Sequence, residues 1–108
     1  MSKTESDRSN GGGKIIYDVL GDHPRTRIVF TLIAQSRRGD THDLNISDLA
    51  RMAGVERSTV YDHIDQLLET GVVEESRTIG NSKMYQINRD SEAAKGLAKF
   101  DDARLMEE

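Results

Sequence analysis

Apolar residues recur at helical spacing on both sides of residue 54, which predicts two helices joined by a sharp turn. Leu49 and Ala50 share one face of a short helix over 48–53 capped by Ser47, and Gly54 sits where the chain must turn. Val60, Ile64, Leu67 and Leu68 then fall at i, i+4, i+7 and i+8, the buried stripe of a second helix. That helix opens at Glu56 or Arg57 and stops at Gly71. Its other face offers Arg57, Ser58, Tyr61, Asp62, Asp65 and Gln66 to solvent. Upstream, KIIYDVL (14–20) reads as a short helix or strand. Pro24 suits the first turn of a further helix through TRIVFTLIAQSR, with Asp22 as its cap and Gly39 as its end. Its buried side is Ile28, Val29, Leu32 and Ile33, and Asp40 to Asn45 form a polar connector.

Past residue 71 the pattern changes. VVEESRTI and KMYQINR are alternating, β-rich runs joined by Gly80-Asn81-Ser82, so a β-hairpin is expected directly after the second helix. Helical spacing returns over 91–107, where Ala93, Leu97, Phe100, Ala103 and Met106 share a stripe. Little of the domain is left to cover that stripe, so a second copy of the chain is its expected partner. Residues 1–13, MSKTESDRSNGGG, are polar and Gly-rich and are expected to be a disordered, solubilising tail. No internal repeat is visible. The expected organisation is a tail over 1–13, a folded domain over 14–90 and a C-terminal dimerisation helix over 91–108. The fold class is α+β, mainly α: a helix-turn-helix with a two-stranded β-wing.

At 108 residues the chain makes one small domain, and 35% hydrophobic content leaves a compact core. The absence of cysteine excludes disulfides, thiolate metal sites and thiol-based redox sensing within this chain. No apolar run approaches the roughly 20 residues that span a bilayer, and no signal peptide is visible. The expectation is a cytoplasmic location away from membranes. A net charge of −4 weighs against nucleic acid as a partner. Its distribution weighs the other way, since residues 14–39 hold Lys14, Arg25, Arg27, Arg37 and Arg38 against Asp18 and Asp22. Eleven Asp beside five Lys and ten Arg also suit a halophilic protein with a hydrated acidic surface, although a mildly acidic mesophilic protein shows the same balance.

A helix-turn-helix with such a polar face fits a DNA major groove. With the wing in register, residues 18–88 resemble the winged helix-turn-helix transcription regulators of the ArsR type, including those of haloarchaea. VLGDHPRTRIVFTLI looks like the family's first-helix opening, and STVYDHIDQLLETGVV like its recognition helix and exit. Arg77, Gly80, Tyr85 and Ile87 fall in the family's wing positions. The resemblance implies double-stranded DNA binding, a homodimer on a palindromic operator and, for short regulators of this kind, repression by occlusion. Asn45 and Ser47 stand where the metalloid-sensing branch places cysteines, so arsenic or thiol-metal sensing is not implied. Asp62 stands where many relatives carry a basic or polar residue. It must therefore face a cytosine amino group, pair with Arg57 or stay in solvent.

The expected DNA contacts are then as follows. Ser58 and Thr59 open the recognition helix, where hydroxyl and N–H groups can bind a backbone phosphate, unless Ser58 is a simple cap. Arg57 can address guanine O6 and N7 in a bidentate way; its plain alternative is a surface ion pair with Glu56 or Asp62. Tyr61 can meet a thymine methyl or donate to phosphate, or else pack on the first helix. Gln66 lies farther from the helix start, and Ser47 and Asp62 flank the same face. In the wing, Arg77 and Lys83 flank the turn, with Asn81 and Ser82 at the tip, placed to straddle the phosphate backbone or enter the minor groove. His63 tempts as a pH or metal switch, but packing or a local hydrogen bond explains it, and His23 and His42 share no metal-ligand spacing with it. Asp101 and Asp102 lack histidine companions. No metal, cofactor or catalytic centre is expected: there is no nucleophile–base pair, and GGGK (11–14) lacks the strand and closing Ser/Thr of a P-loop. The competing reading is a winged-helix protein-interaction module in a transcription or replication assembly. The feature that separates the two is whether Arg57, Ser58, Arg77 and Lys83 converge on one electropositive face. Any small-molecule effector is undefined by the sequence.

Overall fold

The computed structural model describes residues 14–38 and 41–107, so the expected tail over 1–13 and the helix stop at Gly39 lie outside the described residues. Helix α1 spans Lys14–Leu20 and α2 spans Pro24–Ser36, with Pro24 in its first turn. The cap of α2 is His23 rather than Asp22. Its Nδ1 accepts the backbone N–H of Arg25 at 3.1 Å, the position one residue before the helix where a cap must stand. Asp22 instead accepts from Arg27 Nε at 2.7 Å and Nη2 at 3.1 Å. That hydrogen bond raises the Arg27 pKa further, against the opposing effect of burial. Arg27 also lies over the Tyr17 ring and donates from Nη1 to the Ala53 carbonyl at 3.2 Å. One side chain thus ties α1, α2 and the following helix together.

The helix-turn-helix forms where the pattern places it. Helix α3 spans Ile46–Ala53 and α4 spans Arg57–Thr70. The cap of α3 is Asn45, whose Oδ1 accepts the Asp48 N–H at 2.8 Å, so Ser47 lies inside the first turn. Gly54 ends α3 at φ +74°, and a Cβ there would stand 3.0 Å from Arg27 Nη1. Both conformation and space therefore favour glycine at this turn. Val60, Ile64 and Leu67 are buried and Leu68 is half-buried against the same core, as their spacing requires.

The wing is a hairpin of β2 (Val73–Ile79) and β3 (Ser82–Ile87), closed by the two residues Gly80-Asn81 rather than three. The sheet has three strands, not two. Strand β1, Leu44–Asn45, pairs antiparallel with β3, Leu44 opposite Tyr85 and Asn45 opposite Met84. Two residues are too few to show an alternation, which is why the sequence reads this stretch as connector. Immediately before it stands Asp43, only 6% exposed. Its carboxylate accepts from Thr41 Oγ1 at 3.0 Å, Ser76 Oγ at 2.6 Å, and Arg77 Nε and Nη2 at 2.8 and 3.1 Å. Neighbours on a regular strand point to opposite faces. Here the β2–β3 register shifts between Glu75 and Arg77, and that bulge lets Ser76 and Arg77 reach one acceptor. Hydrogen bonding from Arg77 holds the Asp43 carboxyl well below the usual carboxylate range, burial opposing it and the two hydroxyls assisting.

Helix α5 spans Glu92–Glu107. Leu97 and Phe100 of the expected interface stripe pack on the chain's own core, Phe100 edge-on to Phe30 with centroids 6.2 Å apart. Ala93 and Ala103 are exposed, and Met106 is 89% exposed. The buried positions of α5 are Ala94, Asp101 and Arg104. Asp101 accepts from Arg37 and from Arg104 Nε at 2.9 Å, and Arg37 also donates to Asp102 at 2.7 Å. An apolar stripe is blind to such a network because its buried members are charged.

A carboxyl whose folded pKa is depressed adds stability above its unfolded pKa and loses it as pH falls towards the folded value. Asp43→Asn should therefore lower stability at pH 7 by about 1–2 kcal/mol, a modest figure because the outer side of Arg77 is open to solvent. Urea unfolding of both proteins at pH 7 and pH 3 checks this: the difference should narrow at pH 3, and an unchanged difference would contradict it.

Candidate nucleic-acid interface

Between α4, the first turn of α3 and the tip of the wing runs an open groove of about 480 Å³. Ser47 borders it from α3, Arg57, Tyr61 and Asp65 from α4, and Asn81, Ser82 and Lys83 from the wing. Its floor is apolar, formed with Ile46, Ile64 and Tyr85, all buried. The helix spacing explains the α4 wall, since residues 57, 61 and 65 are four apart and stack along one face. The tight Gly80-Asn81 turn explains the other wall, with Gly80 at φ +61° folding the tip back.

Among the described residues neither Arg57 nor Lys83 has an ion-pair partner, and Glu56 and Asp62 do not engage Arg57. Two cations are thus available to a ligand across the groove, with the Asp65 carboxylate on the α4 wall as the opposing charge. Tyr61 is 56% exposed, an aromatic face turned to solvent. Burial pushes the Tyr85 phenol up, and the nearby Glu75 and Asp65 charges and Tyr61 add to it. Tyr85 therefore stays protonated at neutral pH.

The other expected contact residues are placed differently. Ser58, Asp62 and Gln66 lie exposed on α4 outside the groove, and Thr59 is half-buried. Ser58 is not a cap: the N-cap position is Glu56, which makes no side-chain capping bond. Arg77 is drawn to Asp43 at the wing's base and does not line the groove. Of the four residues whose convergence was to separate the readings, Arg57 and Lys83 share the groove and Ser58 and Arg77 do not.

His63 accepts at Nδ1 from Arg25 Nε at 3.0 Å, the local hydrogen bond expected of it. His23, forty positions away in the chain, nevertheless stands beside it, with ring centroids 5.4 Å apart and planes at 68°. No spacing rule links the two, because α2 and α4 meet only in the folded chain. His42 lies elsewhere, 3.2 Å from Arg89 Nη2. Among the described residues no group of three or more His, Asp or Glu side chains is placed to hold a metal ion.

Besides the apolar floor residues Ile46 and Ile64, three groove residues were not singled out from the sequence as contacts: Asn45, Asp65 and Tyr85. Asn45 had a legible signal, an Asn three positions before Asp48 at a helix start. Asp65 was visible on the exposed face, and Tyr85 is brought in only by strand pairing.

Residues 41–89, from the start of β1's approach to the end of the wing, match the family model described as "Sugar-specific transcriptional regulator TrmB". The structure is similar to the "Crystal structure of the AntR antimony-specific transcriptional repressor". The TM-score is 0.57 at 19% sequence identity, over 92% of this chain and 83% of that one. The fold is a winged helix. No curated protein matches the sequence. Both matches are to transcriptional regulators, and the family match falls on the helix-turn-helix and wing that build the groove. The resemblance read from the sequence and the structural match agree on the winged-helix fold.

Since Asn45 both caps α3 and borders the groove, Asn45→Ala should cost about 1 kcal/mol in stability. Ser47→Ala, lacking a cap to lose, should cost little. Urea denaturation of the two variants side by side distinguishes Asn45 from Ser47 as the cap.

Proposed function

We propose that this protein is a sequence-specific, double-stranded-DNA-binding transcription regulator that acts as a homodimer and represses by occluding its operator. The observation that carries the reading is the groove itself: Arg57 at the start of α4 and Lys83 at the wing tip, both without ion-pair partners among the described residues, face a shared space beside the exposed polar side of α4. In this reading α4 enters the major groove. Arg57 addresses guanine in a bidentate way, Tyr61 meets a thymine methyl or a phosphate, and Asp62 accepts from a cytosine amino group. Ser58 and Thr59, with the free N–H groups of the first turn, hold a phosphate, and Gln66 reaches a flanking base. Asn81, Ser82 and Lys83 carry the wing onto the backbone or into the minor groove. Arg77 acts differently from its neighbours in the wing: it positions the hairpin through Asp43.

Repression is supported by the structural likeness to AntR, an antimony-specific transcriptional repressor. Its antimony specificity finds no soft thiolate ligand in a chain without cysteine. The sugar specificity in the TrmB description is not carried by a match confined to residues 41–89. The dimer is supported by exposed apolar side chains on two helices in contact, Val19 and Leu20 on α1 and Leu105 and Met106 on α5. A two-fold axis there would set two copies of α4 in successive major grooves about 34 Å apart, on a palindromic site.

The test is a fluorescence-anisotropy titration of the full chain on the DNA upstream of its own gene, against scrambled DNA of equal composition, from low to molar salt. Arg57→Ala should cost about 1–3 kcal/mol on the specific site and little on the scrambled one. Lys83→Ala should weaken both DNAs alike and reduce the log–log salt slope by about 0.9. Equally weak binding to both DNAs, lost as salt rises, would replace this reading with the protein-interaction module.

A further inference from the structure

A second pocket, sharing no lining residue with the recognition groove, opens where the end of α2, the end of β3 and the first turns of α5 meet. Its volume is about 270 Å³. Ile87, Ala94 and Ala98 form an apolar floor, and Arg37, Arg89 and Lys95 rise around it. Among the described residues no carboxylate lines it. The small side chains at 94 and 98 leave the space, and the three cations come from three separate segments of the chain. We propose that this pocket binds a small organic anion, with a carboxylate or phosphate head against the cations and a compact apolar body on the floor.

The hydrogen bonds divide the three cations by availability. Arg37 is engaged by Asp101, Asp102 and the Ala98 carbonyl, so it forms a fixed wall. Arg89 is held only by neutral acceptors, the Ser36 carbonyl and His42 Nδ1 at 3.2 Å, both through Nη2. Among the described residues its Nε and Nη1 donors make no hydrogen bond and its charge has no carboxylate partner. A guanidinium pinned by one nitrogen and open at the others is set to clasp a planar or tetrahedral oxyanion. Lys95 pairs with Glu92 at 3.1 Å, but Glu92 is 88% exposed, and a pair so open to water is cheaply exchanged for a ligand. An anion therefore gains one uncompensated charge and one easily released one. Ile87 and Ala94 are almost fully buried and close the bottom of the pocket, so an apolar body rests mainly on the half-buried Ala98 and the aliphatic stems of the surrounding cations. The volume lies at the small end for ligand sites, which limits the body to about the size of one ring.

Ile87 ends the strand whose other end, Ser82, borders the recognition groove. Occupancy of the pocket thus has a direct covalent route to the wing. That regulatory consequence rests on the DNA-binding reading above; the binding itself does not.

Isothermal titration calorimetry of the full chain tests the site without DNA, using sodium benzoate and phenyl phosphate as probes, with acetate, inorganic phosphate and benzyl alcohol as partial probes. At least one full probe should bind saturably, one per chain, and about tenfold or more tighter than its head group or benzyl alcohol alone. Arg89→Gln should weaken it about tenfold. Lys95→Gln, at a side chain that is 55% exposed and plays no part in the core, should weaken it too without altering the fold. Lack of saturable binding by both full probes, binding unchanged in both variants, or inorganic phosphate binding as tightly as phenyl phosphate would each overturn the proposal. Which full probe binds assigns the head group.

Discussion

The wing is held at its root by a buried carboxylate. Asp43 sits between the end of α2 and the start of α3, and it gathers Thr41, Ser76 and Arg77 around two oxygen atoms. Removing such a group from water is costly unless its lone pairs are met, and here four donor atoms meet them. The adjoining residues Leu44 and Asn45 then pair with β3, and Asn45 goes on to cap α3. The hairpin and the helix-turn-helix are therefore aligned from one short stretch, residues 43–45. The groove between α4 and the wing tip has a defined width because both of its walls are referred to that stretch.

The far side of the domain uses the same device. Asp101, 4% exposed, receives Arg37 and Arg104, and so fastens α5 to the end of α2. With these two networks the acidic composition takes on a second meaning. An excess of aspartate reads as a solvating surface, yet Asp43 and Asp101 are interior struts, and Asp22 and Asp102 are committed to Arg27 and Arg37. Part of the charge that suggested life in concentrated salt is structural.

The parts of the fold legible in the sequence are those that repeat. Val60, Ile64 and Leu67 announce α4, Gly54 and Gly71 mark its limits, and the alternating runs on either side of Gly80 give the hairpin. What was missed has no period. Strand β1 is two residues long. Asp22 and Ser47 each stand one or two positions from the true caps, His23 and Asn45, and all four are chemically plausible until the backbone is seen. Arg77 looks like a wing contact by position, and the structure pairs it with a carboxylate 34 residues earlier that the sequence pattern does not reveal. The face of α4 was readable; the wall opposite it was readable only in part, because strand pairing, not spacing, brings Tyr85 into place.

The bulge at Ser76 has a bearing on how this wing can change in length. Below it and above it, the strand runs in opposite phases of the pleat, so the bulge is the one place where an odd residue is already accommodated. Lengthening the hairpin tip by a pair of residues, one on each strand, keeps the existing ladder and the Asp43 clasp while extending the wing's reach. A single residue added within Thr78–Ile79 has no such outlet: it would turn Ile79 to the opposite face and upset its pairing with Ser82, while Lys83 keeps the facing of β3, whose Met84 and Tyr85 are held by Asn45 and Leu44. Reach is thus adjustable at the turn, and the phase of β2 alone at the bulge.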